Sequence, residues 1–163
     1  MSLMDAPTYD PRRDILIRNL SIAGLVLVVL IILTGLAGRM TGHGWFFTNL
    51  AAEHRVNGFF DALEAKDYAK AYGIYNNDAD WQQHPQKYTD YPLARFTEDW
   101  TTESPVHTGI VNHHVDVSAT DGTGFWGTGT IVAVRVNGSH KLFMFINRAD
   151  GTMTWPAAHI IQY

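Results

Sequence analysis

The hydrophobic pattern divides the chain into two unequal parts. From Leu20 to Leu33 it reads LSIAGLVLVVLIIL, apolar on every side and free of charge. Arg18 and Arg39 bracket twenty uncharged residues, about 30 Å of helix at ~1.5 Å per residue, which matches the hydrocarbon thickness of a bilayer. Eleven of the fourteen residues from Leu20 to Leu33 are Leu, Ile or Val; on an insertion scale they contribute about −5 kcal/mol together, enough to outweigh Ser21 and the glycines. A chain of 163 residues leaves too small a soluble part to bury a helix that is apolar all round. The rival reading is a cleaved signal peptide, but the run is longer than a usual signal core and Gly35-Leu36-Ala37-Gly38 is a poor cleavage site. The pattern therefore predicts an N-terminal tail over 1–18, a retained transmembrane helix over 19–39 and an interfacial linker over 40–48.

Beyond the linker the period becomes that of a globular domain, residues 49–163. Thr48 or Asn49 can cap a helix in which Val56, Phe59, Phe60 and Leu63 recur at i, i+3, i+4 and i+7. Asp67 suits the cap of a short second helix with Tyr68, Ala71, Tyr72 and Tyr75 on its apolar side. After an irregular polar stretch from Asn76 to Asp90, Pro92 suits the first turn of a third helix carrying Leu93, Phe96 and Trp100. From Val106 the period falls to 2, and 106–118, 125–136, 140–147 and 153–162 read as strands. Asp121-Gly122, Asn137-Gly138 and Asp150-Gly151 punctuate them as hairpin turns. Connections this short make neighbours antiparallel, so the expectation is an α+β domain, about three helices packed on one face of a curved four-stranded meander.

Charge removes some function classes. From Met40 onward there are eight Lys/Arg against thirteen Asp/Glu, a formal −5, which gives the domain no electrostatic reason to bind nucleic acid. The chain has no cysteine, which excludes disulfides, thiolate metal sites, covalent c-type haem attachment and cysteine nucleophiles. Arg12, Arg13 and Arg18 precede the apolar run, whereas Arg39 and Arg55 follow it. The positive-inside rule then favours a cytoplasmic N-terminus and a periplasmic, extracytoplasmic domain. Trp45, Phe46 and Phe47 suit either an aromatic interfacial belt or a contact with the first domain helix.

The run VNGFFDALEAKDYAKAYGIY, Val56 to Tyr75, resembles the opening helix pair of NTF2-like domains, the cystatin-like α+β cones, and the later order of one helix and four strands is similar too. The resemblance covers Leu50 to the C-terminus. It implies a membrane-anchored NTF2-like domain whose cone can enclose a pocket between sheet and helices. Such domains include isomerases, dehydratases and many non-enzymatic assembly modules, so the fold alone assigns no chemistry.

The candidate chemistry is sparse. Strand alternation turns His113 inward, with Val111, Val115 and Val117, and turns His114 and Ser118 outward. His159 is a second inward candidate, beside Met153 and Trp155. A pocket reading pairs His113 or His159 with Asp61 as general base and orienting acid, with Tyr72 or Tyr75 donating to an oxyanion. The alternative is a core histidine bonded to a carbonyl or tyrosine. The eight histidines include no His-x-x-x-His pair, and Asn76-Asn77-Asp78-Ala79-Asp80 lacks the central glycine and distant glutamate of a calcium loop. Neither a metal nor a cofactor is expected. Gly122, Gly124, Gly127 and Gly129 suit a bulge or bend rather than a phosphate loop.

Two function classes remain. One is a non-catalytic single-pass accessory subunit of a larger bacterial membrane complex, with respiratory or photosynthetic electron-transfer assemblies as the class of host. In that reading Thr34 and Gly38, four apart, allow close helix contact. Trp45 and Trp126 are aromatic contact residues, and the partners are the lipid bilayer and the host complex. The other is a membrane-anchored enzyme or small-ligand binder that uses the internal pocket.

Overall fold

The computed structural model of the chain describes residues 11–104, 106, 109–121 and 127–155. It is an α+β structure with four α-helices and a four-stranded antiparallel sheet. The first helix, α1 (Pro11–Met40), has Pro11 at its start, where a missing N–H is no loss. It is long and apolar enough to cross a membrane. It runs eight residues further toward the N-terminus than the apolar span, so Arg12, Arg13, Asp14 and Arg18 stand beyond it. Its apolar side chains are exposed, and only Gly35 and Gly38 are buried.

A 3-10 turn at Trp45–Phe47 separates α1 from α2 (Leu50–Glu64). Asn49 precedes α2 without capping it through its side chain; its buried Nδ2 has no hydrogen-bond partner among the described residues. In α2, Val56, Phe59 and Phe60 are fully buried and Leu63 nearly so, as the 3.6-residue period predicts. Asp67 caps α3 (Tyr68–Tyr75) by accepting a bond from Lys70 N at 3.0 Å. Pro92 precedes α4 (Leu93–Thr101), which buries Phe96 and Trp100. Phe59 meets Phe60, Phe96 and Trp100 edge-on, at centroid distances of 5.2, 6.2 and 5.0 Å, the geometry that ring quadrupoles favour.

The sheet is a meander in the order β1 (His113–Thr120), β2 (Gly129–Val136), β3 (His140–Asn147), β4 (Met153–Thr154). Val132, Val134, Val136, Leu142 and Met144 close the core from the sheet side. β1 begins later than the period-2 reading placed it, at His113 rather than Val106; β2 begins at Gly129, with Gly127 and Thr128 before it outside the strand, and Phe125 lies outside the described residues. The described part of β4 ends at Thr154; residues 156–163 lie outside the described residues.

The alternation in β1 holds only as far as Val115. Val115 pairs with Val134 and Val117 with the adjacent Ala133, so Asp116 is an extra residue in a β-bulge. The bulge reverses the parity. Val117, expected inside, is 48 % exposed on the outer face, and Ser118, expected outside, is buried opposite Val132. Arg135 Nη2 donates to Asp116 Oδ2 at 2.9 Å and braces the bulge. Val111, also expected inside, lies before β1 and is 73 % exposed.

Candidate functional site

Asn57, Asp61 and Glu64 lie at i, i+4 and i+7 on α2 and form a polar stripe beside its apolar face. His113, the first residue of β1, reaches this stripe. Its Nδ1 is 2.6 Å from Glu64 Oε1 and its Nε2 is 3.2 Å from Asn57 Oδ1. The ring stacks on Phe60 at 5.4 Å and 27°. His113 therefore faces inward and His114 outward, as the alternation requires. The contacting acid is Glu64, not Asp61, which is exposed; donor atoms of Asp61, Glu64 and His113 nevertheless lie within 4.8 Å of one another.

This geometry limits the chemistry. A histidine acting as general base needs one nitrogen oriented by an acid and the other turned to substrate. Here the second nitrogen faces Asn57, and the ring cross-links α2 to β1. Asp61, Glu64 and His113 are also the described residues that can hold a divalent cation, two oxygens and one nitrogen in a set acceptable to first-row metals.

The tyrosines do not converge on His113. Tyr72 is fully buried and donates its hydroxyl to the Tyr91 carbonyl at 2.5 Å. Burial, and then Tyr88 nearby, push its phenol up. Tyr75 packs on Phe59, Tyr91 and Phe96, and burial followed by Asp99 raises it as well. Neither serves as an oxyanion donor to His113. An open groove of about 710 Å³ lies elsewhere, between α2 and α3, lined by Arg55, Gly58, Lys70, Ile74 and Asn77. Arg55 Nη1 donates to Gly151 O at 2.7 Å, and burial lowers its guanidinium.

A second, buried polar constellation lies at the junction between α1 and the domain. Glu53, in the first turn of α2, is only 5 % exposed. Its Oε1 accepts a bond from Ser118 Oγ at 2.5 Å, and both carboxylate oxygens lie 2.9 Å from His43 Nδ1. Ser118 N donates to Gly42 O at 2.7 Å. Serine and histidine both contact the carboxylate and not each other, so this is a clamp and not a nucleophile relay. Sequence reading overlooked Glu53, although it sits three before Val56 and seven before Phe60, on the buried face.

The expected contact residues lie in the same region. Gly38 is covered by its own chain: a Cβ there would stand 2.4 Å from Gly44 O and 2.7 Å from Phe47 N. It is thus not open to a neighbouring helix. Thr34 is exposed, its hydroxyl donating to Leu30 O at 2.8 Å. Trp45 and Phe46 are half exposed and fold back against Gly35. Trp126 and His159 lie outside the described residues. Comparison with known protein families, with characterised proteins and with solved structures finds no match to this chain.

Proposed function

We propose that the chain is a non-catalytic, single-pass accessory subunit of a larger bacterial membrane complex, carrying an NTF2-like domain on the periplasmic side of its anchor. The junction carries this reading. Gly42, His43, Glu53 and Ser118 lock the domain to the end of α1 through one backbone bond and three side-chain contacts. A subunit that presents one face to a fixed neighbour benefits from such a pose, whereas a tethered enzyme gains nothing from losing its reach.

The interior favours the same reading. Where a pocket of the resembled fold opens between sheet and helices, Phe59, Phe60 and Met144 are fully buried and Trp100 is 4 % exposed. The outer face of the sheet offers an apolar strip beside the anchor. Beyond Val117, Ala133 pairs with Phe143, and in the next row Ala119 pairs with Ile131 and Ile131 with Phe145; Ala119, Phe143 and Phe145 are partly exposed, while Ala133 and Ile131 between them are nearly covered. At the far end the row is polar, His114, Arg135 and Lys141. An apolar strip bounded by polar residues suits a protein neighbour.

The test is extraction of native membranes in mild detergent, native-gel separation and mass spectrometry of the band that contains this chain. Migration with large membrane proteins in a fixed ratio is expected and names the host. Migration alone, as a monomer or small homo-oligomer, rejects the subunit role.

A further inference from the structure

The chain leaves α1 at Met40 but does not continue away from it. Gly42 and Gly44 adopt φ of 81° and 80°, which non-glycine side chains rarely reach. Phe46 and Phe47 follow in the same left-handed region, at 53° and 58°, an uncommon conformation for bulky residues. These dihedrals turn residues 43–47 back along the helix. Gly44 and Phe47 lie against Gly38, and the rings of Trp45 and Phe46 lie against Gly35. Gly35 is four residues before Arg39, so these rings stand about 6 Å below the charged end of the apolar span at ~1.5 Å per residue. Trp45 is nevertheless 49 % exposed and Phe46 50 %. They continue the exposed apolar surface of α1 (Leu33 55 %, Leu36 41 %). On the domain side Val117, 48 % exposed, packs beside Gly42, level with the helix end.

We propose that residues 43–47 are a re-entrant aromatic hook seated in the lipid interface, and that Val117 extends this contact, so that the domain rests on the bilayer as well as on its anchor. The inference rests on reading α1 as a spanning helix. The occupant is lipid because the exposed rings lie at the depth of a segment that itself faces lipid. Trp in particular, with an apolar body and a polar N–H, suits the headgroup boundary. The contact sites imply an order of depth: mid-helix deepest, then Phe46, then Val117, with the polar end of the sheet in water.

The chain contains no cysteine, so single nitroxide labels report on single sites. The full chain is reconstituted in phosphatidylcholine vesicles as Leu27→Cys, Phe46→Cys, Val117→Cys, His114→Cys and Lys141→Cys, and collision with oxygen is compared with collision with a water-soluble nickel chelate. The expected oxygen preference falls in the order 27, 46, 117, with 114 and 141 preferring nickel. Because the Phe46 ring itself packs on Gly35, a second measurement leaves it in place: lipids brominated near the headgroup should quench wild-type fluorescence, and Trp45→Phe should lose most of that quenching. Nickel access at 46 and 117 equal to that at 114 and 141, with 27 still buried, overturns the hook and leaves the span standing. Nickel access at 27 overturns the span and the hook together. Labels at 46 and 117 that are open in vesicles but shielded in native membranes replace lipid with a protein neighbour and likewise overturn the inference.

Discussion

His43 and Glu53 lie ten residues apart in sequence and meet at the root of the domain, with Nδ1 2.9 Å from each carboxylate oxygen. The pair spans the break between α1 and α2, and Ser118 ties the same carboxylate to the sheet. The end of α1, the first turn of α2 and the distant strand β1 thus meet at one carboxylate that is almost out of water. Removing it leaves His43 Nδ1 without this acceptor and Ser118 Oγ with only the Gly42 carbonyl, 3.3 Å away, a loss of about 1–3 kcal/mol. Glu53→Ala should lower the melting temperature in detergent and speed tryptic cutting after Arg39. Unchanged cutting counts against the clamp.

The two buried glycines of α1 should respond differently to alanine. At Gly38 the added Cβ meets backbone, Gly44 O and Phe47 N, which cannot move without unseating the turn. At Gly35 it meets only side-chain atoms, the far edge of the Phe46 ring at 2.9 Å and the Trp45 ring at 3.2 Å, which can shift. Gly38→Ala should therefore destabilise the junction by about 1–3 kcal/mol. Gly35→Ala should be near neutral, its small clash offset by about 0.5–1 kcal/mol of helix propensity. Thermal melts followed by near-ultraviolet dichroism compare the two, and equal effects contradict the assigned contacts.

His113 separates structure from catalysis. His113→Ala removes two polar contacts and the stack on Phe60, a loss of about 2–3 kcal/mol, measurable as a lower urea midpoint. Under the subunit reading, migration of the host complex on a native gel stays unchanged where the variant still folds. An enzyme would instead lose its turnover with little change in stability.

Acid should reach the irregular segment after α3 in a defined window. Asp78 accepts bonds from Tyr88 and His84. The Tyr88 phenol first, and then His84, hold its carboxyl below the ordinary 3.8. A carboxyl with a lowered value in the folded state stabilises the fold above its unfolded value, and that contribution is lost as pH falls through the folded one. Asp78→Asn should therefore melt below wild type near neutrality, with the gap closing below pH 3.8. A constant gap across this range contradicts the assignment.

The helices were legible because their core positions are local. Val56, Phe59, Phe60 and Leu63 declare a face within eight residues, and Asp67 and Pro92 mark helix starts by their own chemistry. β1 was legible only up to its bulge, because nothing in HHVDVSAT says that Asp116 will be skipped. The pairing is decided across the sheet by Val134, Ala133 and the Arg135 guanidinium. His113 was legible as an inward residue, but its acid was not. Choosing Glu64 over Asp61 requires the crossing of α2 and β1, which no spacing encodes. Gly38 was read as a surface for another helix, whereas the chain fills that surface with its own turn, a contact that depends on left-handed φ at Phe46 and Phe47.

The locked junction makes the domain a lever. Spanning helices commonly tilt by about 20°, and a domain of this size extends about 30 Å from its pivot. With the joint held by Glu53 and the Gly42 carbonyl, such a tilt carries the far, polar edge of the sheet through about 10 Å. If α1 spans a bilayer, a change of bilayer thickness that it meets by tilting moves that edge relative to the membrane, and under the subunit reading a host complex of fixed height would accept the domain at only one inclination.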